Sequence, residues 1–317
     1  MWRYIMKRLF MLIFVFIGVA FLIFTITYFI PGDPASLMLG DGATLEELEA
    51  MRRQLGIDKS YFLQLTDFLS DVFLRFDFGT SWSFGDSVMK ELLSRLPRTI
   101  LMGLATLTVA VGVGVPLGVQ AALNRGKWQD FGVIGMSMIF VSLPNFWIAF
   151  MAILLFALKL GWLPAYGVGG VQYYVLPVLC GAIGSIATFA RQSRSAMLEV
   201  VRADYVTTAR AKGQREKVIV RKHMLPNALL PIITIVGGRV SHIVAGSTLI
   251  ERVFTIPGVG QYLLTGVNKR DYPIIRGCAL FFAVFSAVMV LVTDLAYAAI
   301  DPRIKAQYSG TSNKRRR

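Results

Sequence analysis

The sequence predicts an all-α membrane protein with six transmembrane helices, on the strength of its composition and its apolar runs. Hydrophobic residues make up 55% of the 317 residues and charged residues only 16%, with a mean hydropathy of +0.59, which is too apolar for a water-soluble fold of this length. Six apolar runs approach or exceed the length that crosses about 30 Å of hydrocarbon as a helix. They are Leu9–Ile30, Thr99–Ala122, Val133–Leu158, Val175–Ala190, Leu229–Ile250 and Cys278–Ile300, of which the fourth is the shortest.

The first apolar run is predicted to be a membrane anchor and not a cleaved secretory signal, because it is too long for one and five further spans follow it. The spans then divide the chain into four regions. We expect an N-terminal tail with the first helix at 1–30, a periplasmic cap segment at 31–98, a transmembrane core at 99–305 and a basic cytoplasmic tail at 306–317.

The net charge of +14 would suggest nucleic-acid binding in a soluble domain. With the N-terminus inside, however, more than half of the 33 lysines and arginines fall in the predicted cytoplasmic segments, most densely between Arg191 and Lys222. This is the distribution that the positive-inside rule produces. The charge therefore predicts contact with membrane lipid and not with nucleic acid, and it places both termini in the cytoplasm.

The periplasmic segment contains a helix signal. Thr44 and Glu47 have the spacing of a capping box, an amphipathic run follows them, and Gly56 is a suitable stop. A second amphipathic run covers Tyr61–Phe76. We therefore expect a small helical cap between the first two spans.

The longest cytoplasmic loop is "DYVTTARAKGQREKVIVRKHMLPN", residues 204–227, and its pattern is helical. Asp204 can cap a first helix over about Tyr205–Lys212, and Gly213 suits the left-handed residue that closes it. This helix would place Ala209 on a side where small residues let another backbone approach. A second helix, Arg215–Leu225, is expected to stop before Pro226 and to lie across the membrane surface.

The same loop resembles the cytoplasmic signature of ABC-importer permeases of the peptide/nickel family. Gly213, Leu225 and Pro226 match the general pattern, and the Thr-Thr-Ala at 207–209, which lacks the usual glutamate, is typical of that branch. The resemblance extends along almost the whole chain. It includes "PGDP" at 31–34, "FGTS" at 78–81, "RLPRT" at 95–99, "LPNFWIA" at 143–149, "IERVFTIPGVGQYLL" at 250–264, "RDYP" at 270–273 and "DPRIK" at 301–305.

This resemblance implies a type I ABC-importer permease fold in the bacterial inner membrane. It also implies a coupling helix, which rests in a groove on a separate ATPase and transmits the closure of the ATPase dimer to the spans. The residues assigned to this coupling by the resemblance are Asp204, Tyr205, Thr207, Thr208, Ala209, Arg210, Ala211, Lys212 and Gly213.

The implied partners are a second homologous permease, two ABC ATPase chains and a periplasmic or lipoprotein substrate-binding protein. The implied cargo is a di- or oligopeptide, with nickel chelates and glutathione left open because the binding protein largely selects it. A self-sufficient secondary carrier is the alternative, and it would be expected to show inverted repeats and broken helices, neither of which is clear in the sequence.

Residues for chemistry within this chain are few. The nearest stretch to a phosphate-binding loop, "AALNRGKW" at 121–128, lacks the first glycine and ends in tryptophan. We find no catalytic constellation or metal-ligand spacing, and Cys180 and Cys278 fit buried free thiols. We therefore expect a non-enzymatic subunit without a cofactor of its own, whose partner ATPases bind ATP and Mg²⁺.

Three charged or titratable side chains fall inside predicted spans, where charge is costly. Arg239 and His242 lie three residues apart and share a helical face. We hypothesise that they line the translocation path and that Asp294 neutralises Arg239, although a static interhelical pair explains the same residues equally well. Family members usually carry small or apolar residues near Arg239, so this departure points either to a carboxylate-bearing substrate or to no function.

The segment "ERVFTIPGVGQ" follows the fifth predicted span. By the resemblance it forms a re-entrant turn beside the outer gate, with Glu251, Phe254, Pro257 and Gly258 as its gate residues. A plain surface turn is the alternative. Irregular backbone at this depth is acceptable only where protein or water covers it.

Overall fold

The computed structural model describes residues 2–40, 42–240 and 243–300. Within those residues the chain forms fifteen α-helices and no β-strand, which confirms the all-α prediction. Two π-helical turns occur, Ile153–Lys159 after α7 and Val220–Met224 between α10 and α11. The helices are α1 Trp2–Tyr28, α2 Pro34–Leu39, α3 Leu45–Leu55, α4 Tyr61–Leu74, α5 Val88–Leu123, α6 Trp128–Ser142, α7 Asn145–Ala152, α8 Gln172–Val201, α9 Asp204–Ala211, α10 Glu216–Ile219, α11 Leu225–Val240, α12 Ile243–Gly246, α13 Thr248–Val253, α14 Val259–Lys269 and α15 Tyr272–Ile300.

Four of the described helices, α1, α5, α8 and α15, are long and apolar enough to cross a membrane. Two bent helix pairs bring the number to six if each pair forms one span. Six spans were expected, but the outlines of the third and the fourth were wrong.

The third span was predicted as one helix over Val133–Leu158. The structure bends it by 98° between α6 and α7. Leu143 and Pro144 cause the bend, because Pro144 has no amide hydrogen and disfavours helical dihedrals in the residue before it. Leu143 accordingly has extended dihedrals, with φ −85° and ψ 131°.

The fourth span also differs from the prediction. Its helix, α8, extends to Val201, well past the predicted end at Ala190, because polar residues end a membrane-spanning stretch but not a helix. The fifth span was predicted as Leu229–Ile250. The structure describes α11 up to Val240 and the helices α12 and α13 beyond residues 241–242, which lie outside the described residues, so the outline of this span stays a prediction.

The chain folds as two compact units. The first contains residues 1–97 and 257–317, in its described part. In this unit α1 packs against α15 and α4, with Ala20, Val72 and Leu280 buried between them. This unit also holds the helices α2, α3 and α4, which fall within the predicted cap segment 31–98.

The capping box in this first unit is confirmed. The Thr44 amide donates to Glu47 Oε2 at 2.8 Å, and the Glu47 amide donates to Thr44 Oγ1 at 3.3 Å. Gly56 closes α3 in the left-handed region at φ 68°, as predicted.

The second unit comprises Arg98–Ile256. Its main core gathers side chains from α5, α7, α8 and α13 around Met102, Ile148, Leu176 and Phe254, which are all buried. This core holds together the helices that line the cavity described below.

Candidate functional site

The helix predicted over about Tyr205–Lys212 is present as α9, with one correction at each end. Ala203, with extended dihedrals, occupies the N-cap position, and Asp204 is the first helical residue. An acid in the first turn still stabilises the helix through its dipole. Gly213 adopts φ +73°, and its amide donates to the Arg210 carbonyl at 2.9 Å, which confirms its predicted closing role. The helix therefore ends at Ala211, one residue before the predicted Lys212.

The inner face of α9 packs on the chain itself. Val206 is fully buried and Ala209 is 6% exposed. Both belong to a hydrophobic cluster with Met197, Ile219 and Met224, and Ala196, Ala228 and Ala122 complete that cluster. Our expectation that Ala209 faces a partner was therefore wrong. A methyl side chain fits a tight contact with a partner subunit as well as one within the chain. Helical periodicity alone does not say which side of the helix is covered.

The outer face of α9 is exposed, which leaves it accessible to another subunit. Arg210 on this face pairs with Glu216 at 2.8 Å, so its charge is shared with α10. The Glu216 carboxylate raises the pKa of Arg210 above its ordinary value. The exposed members of the predicted coupling set are Asp204, Tyr205, Thr207, Thr208, Arg210, Ala211, Lys212 and Gly213.

We expected the second helix of this loop to stop before Pro226, but it does not. Instead α10 continues through the π-helical turn into α11, of which Pro226 is the second residue. In this turn the Leu225 amide donates to the Val220 carbonyl, five residues back. Pro226 has no amide hydrogen to donate to the preceding turn, and the π-helical turn just before it already departs from the regular α-helical hydrogen-bond pattern.

Arg239 lines a cavity in the second unit with a volume of about 200 Å³. The helices α5, α7, α8, α12 and α13 supply the other walls. His242, the second residue of the predicted path, lies outside the described residues. The remaining lining residues are Met102, Gly103, Thr106, Leu107, Asn145, Gly181, Ser185, Ile243, Gly246, Ser247 and Ile250.

Asp294 has a different partner from the one we expected. In the first unit its carboxylate forms a salt bridge with Arg8 of α1, with 2.9 Å between Arg8 Nη2 and Asp294 Oδ2. The carboxylate that was predicted to neutralise Arg239 thus already has an arginine partner.

Two predicted outer-gate residues, Glu251 and Phe254, are buried in the second unit and form no surface turn. Glu251 is fully buried and accepts hydrogen bonds from Thr99 Oγ1 at 2.7 Å and Ser247 Oγ at 2.8 Å. Phe254 directly follows α13, is 1% exposed and belongs to the main core. Both side chains therefore hold this segment in place.

The other two predicted gate residues lie in the first unit. Gly258 is buried at the N-cap of α14, and Pro257 before it is partly buried. The segment is thus a helix, a short turn and a second helix.

Sequence reasoning missed a buried acid in the first unit. Asp271 is 1% exposed, and it accepts hydrogen bonds from Ser81 Oγ at 2.7 Å and from the Ser83 amide at 2.8 Å. About 190 positions separate these partners in the chain, so no local pattern joins them. The only signal was that Asp271 lies in "RDYP", a segment of the family resemblance.

Two family models match this chain. The model described as "Binding-protein-dependent transport system inner membrane component" covers residues 114–306, and the model of the N-terminal part of such components covers residues 1–103. The chain belongs to this family. It is therefore an inner-membrane permease subunit of an ABC importer, and the alternative of a self-sufficient carrier is not supported.

Individual relatives agree with the family. The permease is 35% identical over 335 residues to the dipeptide transport system permease protein DppB of Alkalihalophilus pseudofirmus, covering 96% of this chain and all of that protein. It is 36% identical over 305 residues to the glutathione transport system permease protein GsiC of Salmonella choleraesuis, covering 96% of this chain and 99% of that protein.

A solved structure shares the fold. The inward-facing MetNI methionine ABC transporter matches the permease with a TM-score of 0.58 at 20% identity, over 67% of this chain and 97% of that one. The predicted type I fold is thereby confirmed. In general, a permease of this family works with a partner permease, separate ATPase subunits that hydrolyse ATP, and a substrate-binding protein.

Proposed function

We propose that this permease and a second, similar chain form the translocation path for short peptides, driven by two ABC ATPase chains. Its relatives are named for dipeptide and glutathione transport, and both cargoes are short peptides. In this proposal the ATPases bind ATP and Mg²⁺, an external binding protein delivers the peptide, and both termini of the permease are cytoplasmic.

The division of α9 into two faces carries the proposal. Val206 and Ala209 anchor the inner face in a cluster shared with α8, α10 and α11, and α9 contacts α10 and the π-helical turn directly, so we expect a displacement of α9 to move those elements. The outer face, with Tyr205 and Thr208, is exposed. A helix that is bound to the spans on one side and open on the other can receive force from an ATPase and pass it on.

The replacement Thr208→Trp tests this role. The Thr208 hydroxyl bonds only to the local Asp204 carbonyl, at 2.9 Å, so the change leaves the buried cluster intact. In liposomes that contain the complete importer, we expect peptide uptake per ATP hydrolysed to fall about tenfold, because an oversized side chain in a packed interface costs about 1–3 kcal/mol.

Thr66→Trp is the matched control. Thr66 is also an exposed helical threonine whose hydroxyl bonds to a local carbonyl, that of Leu63 at 3.0 Å, but it lies on α4. It should leave coupling unchanged. If both variants coupled uptake to ATP hydrolysis as the wild type does, α9 would not be part of the ATPase interface. Peptide uptake by the purified permease alone, driven by an ion gradient, would overturn the proposed function as a whole.

A further inference from the structure

We propose that the cavity beside Arg239 binds the carboxylate of the transported peptide. This inference rests on the proposed peptide-transport function and adds a binding group to it. The cavity and every residue named for it belong to the second unit.

Arg239 offers an available positive charge. Within the part of the chain that the structure describes, it forms no ion pair, and Asp294 is paired with Arg8. The guanidinium carries a positive charge and presents its N–H donors in a planar fork. Keeping a charged side chain within a membrane span costs free energy. A ligand of opposite charge would offset that cost.

The cavity wall combines hydrogen-bond donors with apolar side chains. Asn145, Thr106 and Ser185 bring one amide and two hydroxyl groups to it, and Met102 and Leu107 bring apolar surface. No acidic side chain occurs among the described lining residues. This arrangement suits a carboxylate held by Arg239 next to a small apolar side chain, and it disfavours a cationic ligand.

The size of the cavity limits what enters it. Its volume is about 200 Å³, below the roughly 300–1,000 Å³ of pockets that enclose a whole drug-sized ligand. The cavity therefore accommodates a very short peptide or one end of a longer one. The end that carries a free carboxylate is the C-terminal residue.

Two glycines provide a steric test of the same cavity. A side chain on Gly246, which lines the cavity, would meet no atom of the described residues within 4 Å of its Cβ, apart from its chain neighbours and the backbone of its own helix. Gly238, next to Arg239, has equally open surroundings but is not a lining residue. Gly246→Val should therefore fill the cavity without disturbing the fold, and Gly238→Val is its matched control.

The charge test compares dialanine with its C-terminal amide in liposomes that contain the complete importer and its binding protein. Each uptake rate is divided by the wild-type rate for the same peptide, so the selectivity of the binding protein cancels. Arg239→Gln should lower dialanine uptake about tenfold or more, since a charge-assisted contact is lost, and should leave amide uptake unchanged. Arg239→Lys should recover part of the dialanine rate.

A second measurement removes the binding protein altogether. Equilibrium binding of dialanine to the detergent-solubilised importer should weaken in Arg239→Gln and in Gly246→Val, but not in Gly238→Val. Equal losses for dialanine and its amide, or no loss for either peptide in both measurements, would overturn the carboxylate site. In that case the wild-type importer would still take up dialanine. A result against the carboxylate site is therefore distinct from a result against the proposed transport function.

Discussion

Arg194 of α8 holds Asp130 of α6 in a two-point salt bridge within the second unit. The Arg194 Nη2 atom lies 2.9 Å from Asp130 Oδ2, and Nε contacts the other carboxylate oxygen. The Gly126 amide also donates to Asp130, at 3.1 Å. Because the Asp130 side chain is only 4% exposed, this contact fixes the start of α6 against α8.

Removal of that carboxylate should destabilise the permease. Asp130→Ala leaves Arg194 partly buried without its partner, and breaking a buried pair in this way costs about 3–5 kcal/mol. Thermal unfolding of the detergent-solubilised protein measures the effect. Asp67→Ala is the control, because its pair with Lys59 is nearly half exposed and should contribute about 0–1 kcal/mol. Similar losses in both variants would contradict the structural role of Asp130.

Ala209→Trp should act on folding and not on coupling. Ala209 packs against the buried Ile219 and Met224, so the larger side chain overpacks the cluster and costs about 1–3 kcal/mol or more. We expect a lower thermal unfolding temperature and a lower yield of folded protein. Its exposed neighbour Thr208 serves for comparison, since Thr208→Trp should keep wild-type stability. A stable but uncoupled Ala209→Trp protein would show that this side of α9 is free to bind a partner.

Asp271→Ala should loosen the turn that holds Ser81 and Ser83. The carboxylate accepts hydrogen bonds from both residues, and loss of a buried acceptor costs about 1–3 kcal/mol. Hydrogen exchange at the amides of residues 81–87 should become faster. Asp71→Ala is the control, because Asp71 forms an exposed pair with Arg75 within one helix. Unchanged exchange in Asp271→Ala would show that the turn does not depend on this contact.

The N-terminus of α3 should depend on pH. The Thr44 amide, and next its hydroxyl, hold the pKa of the Glu47 carboxyl below its ordinary value. A lowered pKa in the folded state means that the contribution of Glu47 is complete above its unfolded pKa of about 4.3 and is lost as the pH falls further.

Hydrogen exchange at the first turn of α3 tests this pH dependence. After correction for the intrinsic rate, protection should be constant from about pH 7 to 5 and should decrease below about pH 4. Glu47→Gln should flatten this profile, whereas Glu49→Gln should preserve it. If the Glu47→Gln profile matched the wild-type profile, a group other than Glu47 would cause the pH dependence.

Local sequence signals predicted local structure well in this permease. The spacing of Thr44, Glu47 and Gly56 predicted both ends of α3, because caps act over three or four residues. Gly213 predicted the end of α9 for the same reason. The bend at Pro144 was also visible in the sequence, but the continuous apolar character of the surrounding residues favoured a single helix in our interpretation.

Contacts between distant segments were not predictable in the same way. Asp130 and Arg194 lie 64 positions apart, and nothing near either residue indicates the other. The inward orientation of Ala209 was unpredictable for the same reason, since the cluster that covers it comes from four other helices and a π-helical turn. The cavity at Arg239 was anticipated only as a charge within a span, because its remaining walls come from four further parts of the chain.

The helical run from Glu216 to Val240 links α10 to the cavity through the backbone itself. The part from Glu216 to Leu229 includes the buried Ile219, and after a 45° bend the run continues from Pro231 to Val240. Ile219 and Arg239 are thus separated by about 30 Å of helix along one segment, at 1.5 Å per residue. Pro231 removes one hydrogen bond at the bend, and the π-helical turn Val220–Met224 interrupts the regular pattern below it, so we expect a tilt imposed at the lower half to move the guanidinium through these two joints.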